Sequence, residues 1–106
     1  MHIPLRIPTH GRPTAPGEML LEEFLKPMGI TQTDFARRVG VTYPRLNEIV
    51  RGKRAVTVDT ALRFARALGT SPEWWLRMQL AVDLYEAAHG DAARAIKKIR
   101  PYRASA

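Results

Sequence analysis

An all-α domain is what this sequence predicts, and three observations carry the prediction. Apolar residues recur at helical spacing in successive segments, as in Val58, Leu62, Ala65 and Leu68. Ser or Thr stands ahead of most of these segments and Gly behind them, the punctuation of helix starts and stops. No stretch reads as an alternating, half-buried strand. A chain of 106 residues has room for one such domain with a modest core.

Each element follows from its local chemistry. Residues 1–15 are basic and interrupted by Pro4, Pro8 and Pro13, so they form an extended arm. Pro16 opens a first helix, Glu18 lies near its positive dipole end, and Met19, Leu20, Phe24 and Leu25 make its apolar stripe, with Pro27 and Gly29 expected to end it. Thr31, three residues before Asp34, starts a second helix that stops at Gly40. Thr42 caps a third, with Pro44 tolerated in its first turn and Gly52 closing it. Thr57 opens a fourth that runs to Gly69, and Ser71-Pro72 begins a fifth, the longest, ending near His89. The domain therefore spans residues 16–90, with a basic tail over 91–106. In that tail Asp91 either caps a short sixth helix ending near Pro101 or precedes a segment without structure.

Charge narrows the function. Seventeen Lys and Arg against ten Asp and Glu give a formal charge of +7, which suits an anionic partner, nucleic acid or a membrane surface. The N-terminus lacks the apolar core of a signal peptide and no run is long enough to span a bilayer, so a cytoplasmic protein without a membrane role is expected. Without cysteine there is neither a disulfide nor a thiolate metal site. His2, His10 and His89 stand at no ligand spacing, Glu22 and Glu23 point to different sides of a helix, and no phosphate loop or activated nucleophile appears. The expectation is a protein that is not an enzyme and holds no metal or cofactor.

The second and third helices carry the most specific pattern. Counting from Gln32, Ala36 lets two helices cross closely, Gly40 supplies the positive φ of a tight turn, and Leu46 with Ile49 anchors the following helix on the core. That is a helix-turn-helix, in which Tyr43, Pro44, Asn47, Glu48 and Arg51 face outward and can enter a DNA major groove. The same pattern also fits a plain αα-hairpin with a solvated polar face. Six basic residues and one acid between Arg37 and Arg54, with Glu18, Glu22 and Glu23 gathered elsewhere on helix one, match an asymmetric phosphate footprint. Helix five, from Trp74 to Ala88, has more apolar residues than one core-facing stripe requires. The surplus predicts a self-association face, assigned to Met78, Val82, Leu84 and Tyr85, the alternative being a fully internal helix in an aromatic-rich core.

Taken jointly, "PGEMLLEEFL", "RLNEIVRGKRAVTVDTALR" and "GTSPEWWLRMQ" resemble the HigA/VapI-type antitoxins of the XRE, lambda-repressor-like helix-turn-helix family, over roughly residues 9–87. Where relatives often place His before Pro-Gly-Glu, this chain has Ala15. The resemblance implies a five-helix lambda-repressor-like domain that binds double-stranded operator DNA as a homodimer and neutralises a small basic RelE-like toxin that cleaves mRNA. A free-standing regulator without a toxin is the other function considered. By motif position, Gln32 resembles the family's phosphate-contacting glutamine and Thr42 and Tyr43 open the recognition helix, although Gln32 and Thr42 equally suit helix capping. Arg45 and Asn47 are placed to meet base edges or flanking phosphates, and Arg51, Lys53 and Arg54 to grip the backbone. A basic toxin requires a negative surface, which Glu18, Glu22 and Glu23 offer beside the arm's Ile3, Leu5 and Ile7. Toxin and DNA are then expected on different faces.

Overall fold

The computed structural model describes residues 11–103, so Ile3, Leu5 and Ile7 of the arm, with His2 and His10, lie outside it. Six helices follow one another, with no strand among the described residues. Helix α1 (residues 16–28) begins as Pro16–Leu20, widens into a π turn over Leu21–Leu25 and finishes as Lys26–Met28. It is followed by α2 (Gln32–Val39), α3 (Tyr43–Val50), α4 (Val58–Leu68), α5 (Pro72–Ala88) and α6 (Ala93–Lys97).

Helix starts obey the local rules closely. Thr31, Thr42, Thr57 and Ser71 each accept, through the side-chain oxygen, the backbone N–H three residues on, at 3.0, 3.3, 3.3 and 3.1 Å. At the other ends Gly29, Gly40 and Gly69 take left-handed φ angles of 66°, 77° and 72°. Pro27 does not stop α1 as expected. It sits inside the helix, where it has no N–H to give the Glu23 carbonyl. The π turn just upstream, in which Lys26 N–H bonds the Leu21 carbonyl, gives its ring room. Asp91 does not cap α6; the N-cap is Ala92, which supplies no side-chain bond.

The core is an aromatic ladder walled by aliphatic side chains. Phe35 meets Phe64 at 5.4 Å between ring centroids, and Phe64 meets Trp75 edge-on at the same distance. Phe24 reaches Trp75 at 5.6 Å. Leu20, Leu25, Leu46, Ile49 and Met78 fill the space between, all buried. Trp75 pays for its burial with a 2.7 Å hydrogen bond from Nε1 to Thr70 Oγ1.

The expected self-association face requires correction. Met78 and Val82 fall on the same stripe as Trp75, three and seven residues on, and are buried in this chain's own core, so neither is available to a partner. Leu84 is 42% exposed and Leu80, which was not assigned, 56%. Tyr85 is half-buried and stacks on His89 at 4.2 Å. None of the described helices is long and apolar enough to cross a membrane.

Candidate nucleic-acid interface

Helices α2 and α3 meet through the tight turn at Gly40, whose positive φ a side chain rarely adopts. On the inner side Phe35, Ala36, Val39, Leu46 and Ile49 are buried. The opposite side of α3 is thereby fixed outward: Thr42, Tyr43, Pro44 and Arg51 are exposed, Asn47 and Glu48 half-buried. Tyr43, at the helix N-terminus, is 48% exposed. The Asn47 amide donates to Gln32 Oε1 at 3.1 Å, tying the first residue of α2 to the middle of α3. That bond orients the Asn47 amide at the outer edge of the pair and leaves the Gln32 amide N–H groups to donate to an acceptor such as a phosphate.

Arg45 does not join the outward set. It is half-buried, its Nη2 reaches Thr60 Oγ1 on α4 at 3.4 Å, and its Nε is buried with no hydrogen-bond partner. The guanidinium therefore faces the N-terminus of α4 rather than the open side of α3. Tyr43 and Asn47 remain on the open side of α3.

Arg51, Lys53 and Arg54 are exposed at the end of α3 and in the loop after it. Arg54 pairs with Glu48 at 3.2 Å, which occupies the one acid of this stretch. Gln79 on α5 holds that loop, accepting Val56 N–H at 2.9 Å while its own amide donates to Asp83 at 2.9 Å. Arg63 on α4 does the same for the interhelical turn: Nη1 donates to the Val39 carbonyl at 2.8 Å and Nε to Asp59 at 2.9 Å. Gly17 sets the depth of α1 against α3, since a Cβ there would lie 1.9 Å from the Ile49 carbonyl oxygen. Sequence reasoning missed all three. Only Arg63 left a trace, as an i, i+4 partner of Asp59.

The acids of helix one are exposed, with Glu22 held by Lys26 at 2.7 Å. They are nearer the basic edge than expected. Glu18 and Glu22 line one groove with Val50, Arg51 and Lys53, so the two expected faces share a border. Arg12 forms an ion pair with Glu86, fastening the segment before α1 to α5. Among the described residues no cluster of His, Asp or Glu is placed to hold a metal ion.

Residues 21–75 match the helix-turn-helix family model. Virulence-associated protein I of Dichelobacter nodosus is 51% identical over 69 residues, 65% of this chain and 64% of the relative. Antitoxin HigA-1 of Vibrio cholerae is 44% identical over 78 residues, 74% of this chain and 73% of the relative. The structure of antitoxin GraA in complex with its operator superposes with a TM-score of 0.81 at 38% identity, covering 93% of this chain and all of that one.

Proposed function

The chain belongs to the helix-turn-helix family, in its HigA-type antitoxin branch, and on that premise we propose that it is a dimeric operator-binding repressor that neutralises a small basic mRNA-cleaving toxin. Members of this family act as DNA-binding regulators rather than as enzymes. The observation that carries the DNA half is the outward face of α3. There Tyr43 stands at the leading end and the Gln32-tethered Asn47 one turn on, with Arg51, Lys53 and Arg54 behind them. The operator complex of the GraA relative, which shares this fold, supports the same reading. Base edges meet Tyr43 and Asn47; phosphates meet Gln32, Thr42 and the three cations. Two copies bring two such faces to successive major grooves about 34 Å apart. Leu80 and Leu84 on α5 are the exposed apolar residues around which we place the dimer contact.

The toxin half rests on Glu18, Glu22 and Glu23, a negative surface on a strongly basic chain. The plain regulator reading takes support from Glu22, whose carboxylate is already matched by Lys26. The experiment that separates the two is capture of the neighbouring gene's product by the tagged chain, alone and with Glu22→Lys and Glu23→Lys together. Capture by the parent and loss of capture by the double variant are expected. Reversal also removes a carboxylate from the groove shared with Arg51 and Lys53, so non-specific DNA binding should tighten severalfold. Equal capture by both proteins moves the toxin site off α1, and no capture by either leaves the free-standing regulator.

A further inference from the structure

Arg45 carries a positive charge in the first turn of α3 and takes no part in the reading face. Its surroundings hold it poorly. Among the described residues its one side-chain bond is the 3.4 Å contact from Nη2 to Thr60 Oγ1, which is long for a hydrogen bond. Nε is enclosed without an acceptor, and an enclosed donor left unpaired costs free energy. No carboxylate among the described residues pairs with the guanidinium. Glu48 on α3 is taken by Arg54, and Asp59 in the first turn of α4 by Arg63.

Thr60 does not depend on the contact either. Its hydroxyl lies 3.1 Å from that of Thr57 and its backbone N–H is bonded to Thr57 Oγ1, so this fully buried residue stays satisfied when Arg45 leaves. The backbone of Arg45 is fixed meanwhile: its N–H is bonded to Thr42 Oγ1 at 3.3 Å, next to the exposed Tyr43 and Pro44. The side chain can therefore turn outward about a Cα that keeps its place. We propose that Arg45 is a stowed DNA contact: in the free chain it rests against Thr60, and on operator DNA it moves to a backbone phosphate flanking the first turn of α3. This rests on the DNA-binding reading of the proposed function and adds a conformational step to it, with Thr60 as the brake. Tyr43 and Asn47 already hold the open side of α3, whereas Arg45 leaves from the side next to α4, which favours a phosphate over a base edge. A phosphate can accept two guanidinium N–H groups at once, more than Thr60 offers.

The test sets two substitutions of one contact against each other. Binding to the DNA upstream of the gene and to a random duplex is measured by fluorescence anisotropy over a range of salt, for the parent, Arg45→Met, Thr60→Val and the double variant. Arg45→Met should weaken both duplexes severalfold and reduce the slope of log affinity against log salt by about 1. Thr60→Val, which exchanges the hydroxyl for a methyl group, should tighten both severalfold with an unchanged slope, and should have no effect once Arg45 is replaced. Thr60→Ser, which keeps the hydroxyl, should bind as the parent does. If Thr60→Val does not fold, the Nε–H NMR resonance of Arg45, assigned by its loss in Arg45→Lys, reads the same event in the unaltered chain and should shift when the operator duplex is added. Equal weakening by Arg45→Met and Thr60→Val with an unchanged slope overturns the proposal and makes Arg45 a strut between α3 and α4. A loss confined to the operator, again without a change of slope, overturns it in favour of a base contact. An Nε–H resonance indifferent to the operator overturns it as well. A parent chain that binds neither duplex overturns the DNA-binding reading beneath it, whereas a parent that binds while Arg45→Met keeps the parent's slope overturns the stowed contact alone.

Discussion

The α2–α3 pair and the C-terminal α5–α6 region are built to different degrees of completion within one chain. Around α2 and α3 each helix start is capped, the turn is held by Arg63, the following loop by Gln79, and the outward amide of Asn47 by Gln32. At the C-terminal end Leu80, Leu84, Ile96 and Ile99 are exposed and α6 starts without a side-chain cap. The difference separates two properties: the helix-turn-helix geometry is complete in one copy, while affinity is what the proposed second copy would add.

The largest effect is expected where the reading region is packed most tightly. Gly17→Ala puts a methyl group into the Ile49 carbonyl, so α1 must move off α3, at a cost of about 3 kcal/mol or more. Thermal unfolding with the operator affinity measured alongside checks it; an unchanged melting temperature means that α1 does not set the position of α3. Next comes the unfinished region. Leu84→Asp should leave the fold intact, yield monomers in sedimentation and weaken operator binding about 100-fold, because two half-sites are no longer engaged together. A stable dimer moves the interface off this part of α5.

Smaller effects divide the reading region itself. Asn47→Ala should cost about 1 to 3 kcal/mol for operator DNA and relax base preference, with at most about 1 kcal/mol of stability lost along with the Gln32 tether. Equal loss on operator and random DNA removes its base-reading role. Lys53→Ala should weaken all sequences alike and reduce the slope of log affinity against log salt by about 1. A sequence-selective loss instead places Lys53 in a groove.

What was legible in the sequence was local. Thr31, Thr42, Thr57 and Ser71 cap because an oxygen needs only to reach the N–H three residues on, and Gly40 announces its turn through its own backbone freedom. Contacts between distant segments were not. Arg45, assigned by motif position to base edges or flanking phosphates, lies against Thr60, fifteen residues on, and Val56 finds Gln79 twenty-three residues away. Periodicity showed that α5 carries surplus apolar residues but not which stripe the core takes, so Met78 and Val82 were assigned to a partner when the core already holds them. The π turn in α1 also escaped, since Pro27 reads as a stop until the widened turn before it is seen.

Hydroxyl-radical footprinting of the chain on the DNA upstream of its own gene tests the central claim most directly. Two protected half-sites one helical turn apart are expected, about 34 Å centre to centre, both fading together when Asn47 is replaced by Ala. Protection without sequence preference, or protection indifferent to Asn47, would contradict α3 as the reading element.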